Sequence, residues 1–128
     1  ERIIKKSPKY ALTQIQLSSA RMISFLDEYR RKAENPAKIF VSLNPFSSES
    51  ELQSLKDLGV EIPHDIMGMV SHPKGMKDGS VIYAVYVAEQ ILNAADRLNM
   101  RVGFNVGHIH RVTSDASMKL TEELYRLN

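Results

Sequence analysis

The chain contains no cysteine, and this absence excludes several classes of protein. Without a thiol there is no disulfide scaffold, no cysteine nucleophile and no cysteine zinc site. The longest unbroken apolar run, residues 81–88, is too short to cross a bilayer, and no charged-then-apolar signal peptide opens the chain. The 128 residues also contain no phosphate-binding glycine loop, no dinucleotide fingerprint and no nucleophile elbow. No cofactor is therefore predicted.

The net charge of +2 conceals an asymmetry along the chain. Residues 1–38 hold nine Lys and Arg against four Asp and Glu, a net +5, whereas the remainder holds eight against eleven, a net −3. A basic excess of this kind is typical of a surface that contacts phosphates or anionic lipids, or of a solvated face. Because no aromatic residues are interleaved with the basic ones, nucleic-acid binding is not indicated. The composition fits the cytoplasm or the periplasm, and we favour the cytoplasm.

The length predicts one folding unit with two parts. Residues 1–37 form a basic N-terminal segment with an amphipathic helix, and residues 38–128 form a compact core. Because the chain begins with Glu1, we expect that it was excised from a longer protein. A helix is predicted over residues 11–33, where apolar and small residues recur at spacings of three and four. This stripe either packs on its own core or pairs in a homodimer through the 12–33 helix; a domain of the parent protein is the other partner considered. The stripe consists of Leu12, Ile15, Ser19, Met22, Leu26, Tyr29 and Ala33.

The remaining pattern predicts strands at 38–43, 66–70, 81–87 and 101–106, with helices beginning near 48, 87 and 114. Strand, helix, strand, strand, helix, strand is the ferredoxin-like order, an α+β fold with an antiparallel sheet and helices on one face. The strand at 101–106 is expected in the interior of this sheet. If residues 81–98 are entirely helical, strands and helices alternate and a three-layer α/β fold gains support. A PAS-like sensor is a further alternative.

The most unusual motif follows the last predicted strand. In an extended chain His108 and His110 point to the same side and continue its apolar stripe. The end of this strand is therefore a candidate rim for a small polar or anionic ligand, with Gly107 exposing backbone and the two imidazoles and Arg111 supplying donors. Lys74, from a turn-rich loop, is expected to add charge.

The same histidines form a candidate zinc site. Zn²⁺ takes nitrogen and oxygen ligands in a tetrahedral arrangement, and His72 or Asp65 could complete a set begun by His108 and His110. Histidines also cluster without binding metal, and no HExxH-type motif is present. We therefore expect no stoichiometric metal.

Two short segments resemble known families. Residues 107–110 resemble the last metal motif of metallophosphoesterases, which implies metal-dependent hydrolysis, although the aspartates and the asparagine–histidine pair of that family's other motifs are missing. Residues 98–107 are similar to a segment of class III nucleotide cyclases, whose core is also ferredoxin-like. The strand at 39–43 lacks the metal-binding aspartate of that family.

Three functional hypotheses follow. The leading one is a non-catalytic regulatory or ligand-sensing domain of a larger signalling protein, because no complete catalytic constellation is present. The second is a structural assembly or protein-interaction module. The third is a small metal-dependent hydrolase centred on His108 and His110.

Overall fold

Strands and helices alternate along most of the chain. The computed structural model describes residues 9–107 and 114–127. These residues form a domain of mixed α and β structure, which confirms the mixture of helices and strands predicted from the sequence. In chain order its elements are β1 (Tyr10–Ile15), α1 (Ser19–Lys32), β2 (Lys38–Leu43), α2 (Glu49–Asp57), α3 (Ile66–Met69), α4 (Met76–Leu98), β3 (Val102–Val106) and α5 (Ser114–Arg126).

The three strands form one parallel sheet in the order β1-β2-β3. Ala11 lies opposite Ile39, which lies opposite Val102 on the other side. The predicted antiparallel ferredoxin-like sheet is therefore wrong. Helix follows both β1 and β2 and returns the chain to the other end of the sheet before the next strand begins. Because of this crossover, successive strands run in the same direction and pair in parallel.

Two predicted strands belong to helices instead. Residues 81–87 lie inside α4, which runs without a break from Met76 to Leu98. Val81, Val87 and Ile91 are buried there at helical spacing, so packing of one helical stripe outweighs the strand preference of valine and tyrosine. Residues 66–70 contain the four-residue helix α3. Residues 81–98 are thus entirely helical, and the chain has the alternation of strands and helices that the sequence predicts for that case.

The predicted helix over 11–33 is also wrong in its first part, because residues 10–15 are β1. Its second part is α1, which begins after the N-cap Ser18. Met22, Leu26 and Tyr29 face the core of the chain itself. The homodimer through this helix stays a prediction, and these stripe residues are already covered within one copy.

The core lies between one face of the sheet and the helices. Ile39, Val41 and Leu43 of β2 are each at most 1% exposed and belong to the same apolar cluster as Leu26 and Leu120. Helix α4 packs against both α1 and α5. This cluster contains residues from both sides of the predicted 37/38 boundary.

The other face of the sheet is open. We call it the uncovered face, because no helix among residues 9–107 and 114–127 lies across it. Tyr10 and Leu12 of β1 are 68% and 62% exposed there. Strand β3 is an edge strand, so the expectation that residues 101–106 lie in the sheet interior is wrong. By register the face consists of Tyr10, Leu12, Lys38, Phe40, Ser42, Gly103 and Asn105, of which Ser42 is only 7% exposed.

Within residues 9–107 and 114–127 no helix is both long enough and apolar enough to cross a membrane.

Candidate functional site at the carboxyl ends of the strands

The carboxyl ends of all three strands meet at one edge of the sheet, which we call the carboxyl edge (residues 16–18, 44–48 and 107). Parallel sheets place their ligand sites at this edge, in the loops that follow the strands. Polar side chains concentrate here: Ser42 and Asn44 at the end of β2, and Asn105 near the end of β3. The amino end of the uncovered face instead carries aromatic rings, with Tyr10 edge-on to Phe40 at 6.3 Å.

Gly107 closes the carboxyl end of β3. Its N–H donates to the carbonyl of Leu43 at 3.1 Å, and its own carbonyl accepts from the hydroxyl of Ser117 at 2.6 Å. A Cβ added at Gly107 would lie 3.1 Å from Oδ1 of Asn44. Asn44 is only 4% exposed, and its Nδ2 donates to the carbonyl of Pro45 at 3.2 Å. Glycine thus allows the ends of β2 and β3 to approach closely.

A bulge shapes the carboxyl end of β1. The register shifts between Leu12 and Ile15, and side chains replace the missing ladder bonds. The N–H of Ser42 donates to Oγ1 of Thr13 at 3.1 Å, and Oγ of Ser42 donates to the Thr13 carbonyl at 2.8 Å. Gln16 resumes the ladder by donating its N–H to the Ser42 carbonyl at 2.9 Å. Bulges of this kind re-aim side chains near functional sites.

A long connection, residues 44–75, folds over this edge. Nε2 of Gln14 donates to the carbonyl of Leu58 at 2.8 Å, and Arg21 pairs with Glu61 at 3.2 Å. Farther along, a Cβ on Gly79 would overlap the backbone carbonyl of Val70. The connection is therefore anchored to β1, to the start of α1 and to the start of α4.

The start of α2 contains a buried carboxylate. Glu51 is 3% exposed, and its Oε2 accepts from the N–H of Ser47 at 2.7 Å and also from the Ser47 hydroxyl. Ser48 caps the helix by accepting from the Glu51 N–H at 3.2 Å. This is one half of a capping box, since the Glu51 carboxylate bonds the N–H of Ser47 in place of that of Ser48. The second oxygen, Oε1, is buried and has no partner among the described residues. A buried acceptor without a hydrogen bond lowers the stability of the fold. Oε1 of Glu51 therefore stands out among the polar atoms of the loop after β2.

Tyr83 fixes the loop after β1. Its hydroxyl donates to the carbonyl of Leu17 at 2.6 Å from the buried first half of α4. Burial raises the pKa of Tyr83, and the neighbouring charges of Asp65 and Tyr86 raise it further. The phenol is thus neutral over the physiological range and acts as a fixed donor.

The residues predicted for the ligand rim fall into two groups. Gly107 lies at the carboxyl edge, as described above. Lys74 is exposed in the turn before α4, where its N–H donates to Nδ1 of His72 at 3.0 Å. His108, His110 and Arg111 lie outside the described residues, so their place in the site stays a prediction.

The predicted metal set is split in the same way, since His72 and Asp65 are described and His108 and His110 are not. Within residues 9–107 and 114–127 no three His, Asp or Glu side chains come close enough to hold a metal ion. Asp65 is instead close enough to Tyr83 to influence its pKa. The zinc site stays a prediction.

Sequence reasoning missed Ser42, Asn44 and Asn105 as site residues. Asn44 follows the strand predicted at 38–43 and precedes a proline, and Asn105 alternates with the apolar residues of β3. Both signals are visible in the sequence. They indicate a common site only when the sheet is known to be parallel.

Comparison with known proteins shows a likeness of fold. No family model matches the chain, and no curated protein matches it. A solved structure superimposes with a TM-score of 0.83 over 99% of this chain at 22% identity. It is an uncharacterized protein from Clostridium thermocellum that binds two copies of 5-methyl-5,6,7,8-tetrahydrofolic acid. The chain spans about half of that protein, 48% of its length. At this identity the likeness shows the fold.

Proposed function

We propose that the chain binds a small anionic ligand at the carboxyl edge, and that this ligand is a reduced folate. The observation that carries the proposal is the collection of amide and hydroxyl groups where parallel strands end, beside Gly107. Ser42, Asn44 and Asn105 share this place; Asn105 is exposed, whereas Ser42 and Asn44 are 7% and 4% exposed. The connection 44–75 is held to β1 beside them through Gln14. The fold likeness to a protein that binds a methylated tetrahydrofolate selects this ligand among small anions.

The chemistry of the edge suits the pterin ring of a folate. A pterin presents neighbouring N–H donors and oxygen or nitrogen acceptors, and an asparagine amide offers both kinds of group at once. Asn105 is exposed on the uncovered face, two residues before Gly107. Its amide is therefore available to a ligand, whereas that of Asn44 already donates to Pro45.

The glutamate tail of a folate is anionic and needs a cation. Lys77 is paired with Asp115 at 3.0 Å, and Arg21 with Glu61. Lys74 is exposed in the turn before α4, and we propose it as the partner of the tail. Arg111, His108 and His110 follow Gly107 in the sequence and remain proposed contacts.

A role as a ligand-sensing domain rests on the same site. Helix α1 begins two residues after Leu17, whose carbonyl is held by Tyr83. Occupation of the carboxyl edge can therefore bias the start of this helix, as a sensor requires. Catalysis is not part of the proposal.

Thermal unfolding with ligand tests the proposal, because binding to the native state raises its melting temperature. We expect 5-methyltetrahydrofolate to stabilise the wild type more than pterin alone, glutamate or ATP does. Asn105→Ala should reduce this shift. Asn93→Ala is the matched control, since Asn93 is equally an exposed asparagine but lies in the second half of α4.

Two results would contradict the proposal. One is the absence of any shift with the folate in the wild type. The other is an equal shift in Asn105→Ala and Asn93→Ala. Adding Zn²⁺ alone tests the hydrolase alternative: a shift that is lost in His108→Ala/His110→Ala would favour a metal site instead.

A further inference from the structure

The amino end of the sheet carries cations at the start of all three strands. Lys9 precedes β1, Lys38 begins β2 and Arg101 precedes β3. The N–H of Lys38 donates to the Lys9 carbonyl at 3.1 Å, and the N–H of Ile39 donates to the Arg101 carbonyl at 3.0 Å. Because neighbouring strands lie about 4.8 Å apart, the three cationic residues lie side by side over roughly 10 Å. We call these three residues the basic row.

The helix ends beside the basic row add to its charge. The chain turns from α1 into β2 and from α4 into β3 at this end of the sheet. Nε of Arg30, in the last turn of α1, donates to the carbonyl of Leu98 at the end of α4, at 3.1 Å. Together with Lys9, residues 27–38 and 96–101 hold seven Lys and Arg against four Asp and Glu, a net +3.

The charges of the basic row are not neutralised by carboxylates of the described residues. Lys9 and Arg101 are exposed, and neither forms an ion pair with an Asp or Glu that the structure describes. Lys32 of α1, by contrast, pairs with Glu28 at 2.7 Å. The contact of Lys38 is with a ring: its Nζ lies 5.1 Å from the centre of Phe40, an interaction that leaves the positive charge in place.

Exposed apolar side chains lie next to the basic row on the uncovered face. Tyr10 pairs in register with Lys38, and Leu12 pairs with Phe40. Tyr10 and Leu12 are both more than half exposed. A Cβ at Gly103 would lie 3.4 Å from Cε of Lys38, so the apolar stem of this lysine extends along the same face. Cations beside exposed tyrosine and leucine are typical of surfaces that lie in the interfacial layer of a membrane.

We propose that the basic row and the apolar side chains beside it dock on an anionic lipid surface. The cations contact the headgroups, and Tyr10 and Leu12 enter the interfacial layer. A nucleic acid would offer phosphates to the cations but nothing to bury Leu12, whereas a bilayer offers both. Lys9 and Lys38 belong to the basic first part of the sequence, and the fold brings Arg101 to them.

This docking surface is independent of the ligand proposed at the carboxyl edge. The basic row lies at the opposite end of the three strands. Residues 1–8 adjoin Lys9 and lie outside the described residues, and they are not part of the surface. Vesicle binding tests the docking surface and folate-induced stabilisation tests the proposed function, so either can fail alone.

Sedimentation of the whole chain with lipid vesicles is the experiment. One set of vesicles contains phosphatidylcholine alone, and the other also contains phosphatidylserine. We expect binding to the second set only, with less binding as salt is raised, because salt screens exposed charges. A wild type that does not sediment with the anionic vesicles at low salt overturns the proposal. Equal binding to both sets of vesicles does so too.

Two double variants separate the basic row from net charge. Lys9→Gln/Arg101→Gln should lower the vesicle partition coefficient about thirtyfold, since each cation near an anionic surface contributes about fivefold. Lys56→Gln/Lys119→Gln is the matched control, because both lysines are exposed on helices, α2 and α5, and it removes the same charge. It should bind nearly as the wild type does. Equal losses in the two variants, with circular dichroism confirming that both are folded, would contradict the proposal.

The apolar contribution is tested at Leu12. Leu12→Ser should lower the partition coefficient about tenfold, because an aliphatic side chain no longer leaves water. Ile82→Ser is the control, since Ile82 is 57% exposed on α4 and Leu12 is 62% exposed on the sheet. Undiminished binding of Leu12→Ser overturns the proposal. Binding of a labelled single-stranded DNA in place of vesicles would identify a nucleic-acid surface and would also show the proposal to be wrong.

Discussion

The two faces of the sheet differ in what their alternating side chains meet. On one face Ile39, Val41 and Leu43 are buried against helices. On the other, Leu12 is as apolar as any of them and yet is 62% exposed. The same alternation of side chains therefore gives a buried core on one face of the sheet and an exposed apolar surface on the other. The comparison shows that an apolar side chain at an alternating position of a strand does not by itself tell whether that face is buried within this chain.

The largest difference between the faces should be seen with leucine. Leu26, at 0% exposure, packs beneath the covered face, and Leu26→Ala should cost about 2–5 kcal/mol. Leu12→Ala should cost less than about 0.5 kcal/mol, as an exposed substitution does. Urea unfolding should be measured at a concentration low enough to keep the chain monomeric. Equal losses at the two positions would show that the faces are not distinct.

A second test adds volume instead of removing it. Gly79 lies in the first turn of α4, where a Cβ would overlap the carbonyl of Val70. Because backbone cannot rotate away as a side chain can, Gly79→Ala should cost about 1–3 kcal/mol. Gly68→Ala is the control, since a Cβ there meets nothing within 4 Å. If both variants unfold at the same urea concentration, the connection 44–75 does not pack on α4 as described.

Phe104 is intermediate in burial between Leu26 and Leu12. From the sequence alone, Phe104→Ala is expected to cost about 3–5 kcal/mol, the value for a fully buried ring. The structure places it half-buried on the edge strand, so the expected cost in the monomer falls to about 2 kcal/mol. A loss of full size in the monomer would mean that the ring is covered within one copy.

The smallest effect concerns pH. The pKa of Tyr83 is raised in the folded chain, whereas in the unfolded chain a tyrosine ionises near pH 10, its ordinary value (about 10). The folded chain therefore keeps the Tyr83 proton to a higher pH than the unfolded chain does. The resulting contribution to the free energy of unfolding is complete below the ordinary tyrosine pKa and is lost as the pH rises through the folded pKa. Tyr83→Phe should cost about 1 kcal/mol at neutral pH through the lost bond to Leu17.

The corresponding measurement is the free energy of unfolding from neutral to alkaline pH. The wild type should lose stability above the ordinary tyrosine pKa more steeply than Tyr83→Phe. Parallel curves for the two proteins would assign the alkaline loss to other groups.

Local signals predicted several elements well. The strand at 38–43 is confirmed, and the helix predicted to begin near residue 48 has Ser48 as its N-cap. Both depend on neighbours in the sequence: a β-rich run ended by Asn-Pro, and a side chain that reaches a backbone N–H three residues away. The strand at 102–106 was found for the same reason.

The errors have a different origin. Residues 81–87 favour a strand by composition, and only their packing against α1 and α5 makes them helical. Residues 10–15 continue a helical spacing, and only their pairing with β2 makes them a strand. In both places a contact with a distant part of the chain outweighs a local preference of a fraction of a kcal/mol.

The candidate site follows the same division. The sequence by itself determined that polar groups and glycine end the strands, because Asn44 and Gly107 stand where apolar runs stop. Tertiary structure alone decided that these ends lie together. Strand direction is set by the crossover helices, and no residue encodes it locally. Parallel pairing brought the carboxyl ends to one edge of the sheet and so fixed where a ligand is proposed to bind.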